Sequence, residues 1–146
     1  MYRNILIATD GSPLAARAVE HGCRLAKSLG AKVLLLTVTE RFHVFTLDAD
    51  QVEETPASFG EHVQKQAERA LAEASEIARN LGVEATTLQM EGDAPYRTII
   101  RMAEDYVCNL IVMASHGRGG VSALLLGSET MKVLHHSNIP VLVVRQ

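Results

Sequence analysis

The residues with the most chemistry in them are Ser115-His-Gly-Arg-Gly-Gly120 and, a little further on, Gly127-Ser128. The first group leaves an uninterrupted apolar run, Leu110-Ile-Val-Met-Ala114, which reads as a fully buried strand. Glycines let bare backbone N–H groups approach a bulky anion, and a helix starting at Ser128 adds partial positive charge. Strand, glycine loop and helix start together make a phosphate cradle. Within it Ser115 and Ser128 carry hydroxyls, and Gly117 and Gly127 offer unshielded main chain. His116 is either a phosphate donor or a loop histidine facing water. Arg118 either neutralises phosphate charge or is simply solvated. At the other end of the chain, Asp10-Gly-Ser12 supplies a carboxylate suited to sugar hydroxyls or to a Mg²⁺ beside phosphates. The same tripeptide is also ordinary turn and capping chemistry.

Neither common glycine motif is present. No lysine follows the glycines to give G-x-x-x-x-G-K-[ST], and Ser122 stands where G-x-G-x-x-G needs its third glycine. What stands there is Ala114-x-x-Gly117, nine residues, then Gly127-Ser128. This spacing resembles the G-x2-G-x9-G-[ST] signature of the ATP-binding branch of the universal stress protein family. The resemblance spans almost the whole chain, since Ile5-Leu-Ile-Ala-Thr-Asp-Gly-Ser12 and Asn138-Ile-Pro-Val-Leu-Val-Val144 are similar to that family's ends. Ala114 departs from the pattern, occupying the place of the first glycine, and its methyl is expected to crowd a nucleotide slightly.

The elements that must position these residues follow from apolar spacing. Asn4–Thr9 reads as a buried first strand, ended by Asp10-Gly-Ser-Pro13 with Ser12 as N-cap and Pro13 as first helical residue. The helix presents Leu14, Ala18, Val19, Gly22, Leu25, Ala26 and Leu29, and Gly30 stops it. Lys32–Thr39 is a second strand without alternation, as a sheet covered on both faces requires. About 40–60 shows no periodicity; Phe42 and Phe45 there read as a cover for a ligand or as packing for another subunit. A connection of that length is expected to be functional or mobile. A second helix follows, from about Glu61 to Leu81, with Val63, Ala67, Ala70, Leu71, Ala74, Ile77 and Ala78 on one face and Gly82 after it. Val83–Met90 suits an outer strand. Asp93 is the expected N-cap of a third helix that packs Ile99, Ile100, Met102, Ala103 and Tyr106 inward. A short helix from Ser128 to His136 precedes the last strand, Val141–Val144. His135 and His136 point about 100° apart on that helix and do not share a metal.

Five strands alternating with four helices give an α/β fold with a parallel sheet. The resemblance implies an open five-stranded sheet of order 3-2-1-4-5 with helices on both faces. That order reverses the winding between strands one and four, opening a crevice at their C-terminal ends. The resemblance further implies ATP with Mg as ligand, adenine against Ala8, Thr9 and Val38, and Asp10 on the nucleotide or its Mg. Met113, Ala114, Ser115, His116, Gly117, Arg118, Gly127, Ser128, Glu129 and Thr130 complete the expected contacts. It also implies a homodimer through Val141–Val144.

The chain has 146 residues, 47% hydrophobic and 21% charged, which fits one globular domain over 1–146. A formal charge of −3 argues against nucleic acid as partner, and no apolar run is long enough to span a bilayer. No signal-peptide pattern opens the sequence. Cys23 and Cys108, each in a helical stretch without ligand spacing, read as free thiols of a reducing cytoplasm. No catalytic triad or metal cluster stands out; phosphoryl transfer needs a cation clamp and a residue that orients the nucleophile, while the cradle lacks the P-loop lysine and shows no candidate base beyond Asp10. The expected role is a nucleotide-binding regulatory module with at most slow hydrolysis. The other readings are a dimerising stress protein that binds no nucleotide, a slow ATPase or phosphotransferase, and a module for another adenine ligand such as a cyclic nucleotide.

Overall fold

The computed structural model describes residues 1–40, 55–117 and 126–146. Its strands are β1 (Asn4–Ala8), β2 (Lys32–Thr39), β3 (Ala85–Glu91), β4 (Leu110–Ala114) and β5 (Val141–Val144). Between them run the helices α1 (Pro13–Leu29), α2 (Pro56–Asn80), α3 (Pro95–Asp105) and α4 (Ser128–His136). Every strand pair is parallel, and the sheet order is β3-β2-β1-β4-β5.

The unbroken apolar runs are explained by two cores, one on each face of the sheet. Ile5, Ile7, Val33, Leu35, Leu110 and Val112 pack with α1 and α2 residues such as Val19, Cys23, Ala74 and Ala78. Their strand neighbours Leu6, Leu34, Leu36, Ile111 and Met113 pack with Ile99, Met102 and Ala103 of α3 and Val133 of α4. Because side chains alternate along a strand, a sheet covered twice needs apolar residues at every position. α1 lies so close that a Cβ on Gly22 would sit 2.6 Å from Ile7 Cδ1.

Local signals work as the residue types dictate. Ser12 caps α1 by accepting from Ala15 N at 3.2 Å, Pro13 opens it, and Gly30 ends it in the left-handed conformation (φ 65°). Several boundaries differ from the sequence reading. α2 begins at Pro56, because Thr55 and Ser58 cap each other's main chain in a reciprocal box. β3 begins at Ala85, because Val83 N still closes the end of α2 on Ala78 O at 2.9 Å. The N-cap of α3 is Ala94, not Asp93. α4 has the bounds read from the sequence, with Gly127 as its N-cap. Tyr106 is 48% exposed rather than packed inward, since it follows the last turn of α3 as its C-cap. Cys108 lies in the turn between α3 and β4 rather than in a helix. Both cysteines are free and buried. Phe42 and Phe45 lie outside the described residues.

Candidate functional site

The chain passes from β1 outward through β2 to β3, then returns to place β4 on the other side of β1. The loops leaving β1 and β4 therefore start side by side, with Ile7 paired to Val112 just before them. They also touch. A Cβ built on Gly117 would lie 2.3 Å from Asp10 Oδ2, so the main chain of the second loop runs directly against the carboxylate of the first. Asp10 Oδ1 meanwhile accepts from Ser12 N at 2.9 Å, and Thr9 Oγ1 accepts from Gly11 N at 3.2 Å. These bonds hold Gly11 at φ 80°, a conformation that favours glycine. One oxygen of Asp10 fixes its own loop while the other faces Gly117.

The start of α4 is bound just as closely to the end of β4. Gly127 N donates to Ser115 O at 2.7 Å, and the buried Thr130 hydroxyl donates to Ala114 O at 2.9 Å. A Cβ on Gly127 would come within 3.1 Å of His116 Cα and 3.4 Å of Ser115 O, which are main-chain atoms that cannot swing aside. A side chain at this position would push the helix and the loop apart by a few tenths of an ångström. No side chain caps the first turn of α4. A helix start without a side-chain acceptor keeps its N–H groups and dipole for an anion.

Ala8, Val38 and Met113 belong to one apolar cluster, on the sheet face covered by α3 and α4. Met90 and Tyr96 join that cluster, and the sequence reading missed both. Met90 was read only as the end of an outer strand; no motif marks Tyr96. Ala114 sits on the opposite face, in the core beneath α1. The methyl that replaces the motif's glycine is therefore packed into protein, away from the Ala8–Val38–Met113 side. Ser115 is buried, with Oγ 3.2 Å from His116 Nδ1. Ser128 is exposed at the first helical position, and Glu129 Oε2 accepts from Tyr96 N at 2.8 Å. Arg118 lies outside the described residues. Among the described residues no three His, Cys, Asp or Glu side chains gather as a metal site. His135 and His136 are exposed in the last turn of α4, where His136 stacks on Tyr96 with ring centroids 5.1 Å apart.

An open, doubly wound parallel sheet whose strand order reverses beside β1 defines a class of α/β domains. The chain belongs to the universal stress protein family, whose model matches residues 1–145. Universal stress protein YxiE of Bacillus subtilis is 33% identical over 149 aligned positions, covering 99% of this chain and 100% of that protein. The solved structure of universal stress protein UspA from Lactobacillus plantarum superposes with a TM-score of 0.82 at 25% identity, covering 99% of this chain and 98% of that one. A universal stress protein solved in complex with cAMP gives a TM-score of 0.73 at 25% identity, covering 99% of this chain and 97% of that one. No described helix is long and apolar enough to cross a membrane.

Proposed function

We propose that the crevice between the β1 and β4 loops binds an adenine nucleotide, ATP with its Mg²⁺, as the ligand of a cytoplasmic regulatory module. The observation that carries this reading is a pair of glycines where a Cβ would press on neighbouring protein, Gly117 on the Asp10 carboxylate and Gly127 on the His116 main chain. Main chain brought this close, beside an uncapped helix start, suits a polyphosphate. Adenine would lie over Ala8, Val38 and Met113, with Thr9 at its edge. Gly117, Gly127 and Ser128 would face the phosphates, with Ser115, His116 and Arg118 along the loop. Asp10 would meet the ribose or the phosphate-bound Mg²⁺; among the described residues no three His, Cys, Asp or Glu side chains gather to hold a metal, so the ion would arrive with the nucleotide. Hydrolysis would be slow, below about 1 s⁻¹ in a single turnover.

The cAMP complex of a similar protein favours one alternative ligand, a cyclic nucleotide. The spacing Ala114-x-x-Gly117, nine residues, Gly127-Ser128, similar to that of the family's ATP-binding branch, argues for more than one phosphate. Thermal melting decides between them. At a hundredfold excess over Kd, MgATP should raise the melting temperature by about 5–10 °C. Cyclic AMP should compete with a smaller shift. Gly127→Ala and Asp10→Ala should each reduce the ATP shift. A wild-type protein whose melting is untouched by every adenine nucleotide would overturn the reading.

A further inference from the structure

α3 starts without a side-chain cap of its own. Its N-cap, Ala94, has no side-chain acceptor, and Pro95 at the first helical position has no N–H to satisfy. The N–H groups of Arg97 and Thr98 turn back to Ala94 O at 3.1 and 3.3 Å. That leaves the Tyr96 N–H, and the carboxylate that accepts it comes from another helix: Glu129 Oε2, at 2.8 Å. The other oxygen of Glu129 lies 3.5 Å from Lys132 Nζ.

An acidic residue directly after Gly127-Ser128 is an unexpected choice for a helix start that receives an anion, since both seek the same positive end. The geometry resolves this conflict by turning the carboxylate sideways, onto α3. Two other bonds, Gly127 N to Ser115 O and Thr130 Oγ1 to Ala114 O, hold the first turn of α4 to the sheet. The Glu129 bond holds the same turn to the neighbouring helix.

We infer that Glu129 is a positioning residue for the cradle: it caps α3 from outside, fixes the first turn of α4 laterally, and keeps its own charge off the anion. The inference rests on the nucleotide reading for its ligand and on the observed Glu129–Tyr96 bond for its mechanism. Comparing wild type, Glu129→Ala and Glu129→Gln tests it, with calorimetric binding of MgATP and of adenosine, and amide exchange at Tyr96 without ligand. Loss of the bond should speed Tyr96 exchange in Glu129→Ala and weaken MgATP binding about fivefold, a typical effect of a lost cap. Adenosine, which lacks phosphates, should bind Glu129→Ala as it binds wild type. Glu129→Gln keeps an acceptor oxygen and should restore both the slow exchange and at least wild-type MgATP affinity. A merely structural role would lower stability without changing the ratio of MgATP to adenosine affinity. Unchanged Tyr96 exchange in Glu129→Ala, an unchanged affinity ratio, or Glu129→Gln as weak as Glu129→Ala would each overturn the inference. A wild type without nucleotide affinity overturns the functional reading and the role in the cradle with it, while exchange at Tyr96 still reports the cap.

Discussion

Cys23 and Cys108 lie on opposite faces of the sheet, in the two separate cores. Burial pushes each thiol from its ordinary value of 9.0 up to about 11, because the low-dielectric interior penalises the thiolate. In the unfolded chain they ionise first. The stability they contribute is therefore fully present below about 9 and is lost as pH rises through about 11. Urea midpoints at pH 8 and pH 10.5 should fall more steeply for the wild type than for a Cys23→Ala, Cys108→Ala variant. Equal falls would show that the thiols do not contribute. The same burial keeps them poor nucleophiles at neutral pH, so neither belongs to the chemistry of the crevice.

Among the elements, α3 is held at both ends by residues outside it. It has a borrowed cap at its start, and at its end the chain turns through Val107 at φ 55°, 75% exposed. A β-branched residue in the left-handed region is strained by roughly 1–2 kcal/mol. The turn persists because its surroundings hold it. Asn4 Nδ2 donates to Val107 O at 3.2 Å, and Asn109 Oδ1 accepts from Arg3 N at 3.1 Å. Val107→Asn should relieve the strain with no loss of buried contacts and raise the melting temperature by about 2–4 °C. A lower melting temperature would show that the valine side chain has a packing role the structure does not show.

At the scale of the molecule, the two sheet edges differ in character. β3 presents exposed Thr86, Thr87 and Glu91, whereas β5 is Val-Leu-Val-Val with three of its residues half-buried. An apolar edge invites pairing with another chain, and a polar one discourages it. A homodimer through antiparallel pairing of β5 strands is the expected assembly. Leu142 packs on the α1 and α2 core, so a lysine there would also disturb the fold. Val143→Lys is the cleaner test. Light scattering should give a monomer for the variant and a dimer for the wild type; an unchanged mass would remove β5 as the interface.

The three central strands, β1, β2 and β4, are legible in the sequence, because nearly unbroken apolar runs suit a sheet covered on both faces. The sequence also determined where α1 stops, since Gly30 takes a conformation other residues resist, and it marked the glycines of the cradle. These are effects of neighbours within a turn or of one residue's own shape. Sequence reading brings the loops after β1 and β4 together; packing decided that the Asp10 carboxylate lies against Gly117 there, that the Ala114 methyl turns under α1, and that Tyr96 finds its acceptor in Glu129. None of these pairs is encoded in spacing. Each depends on how the crossovers lay one element against another, and a donor left over at one helix start is satisfied by whichever acceptor that packing brings within reach.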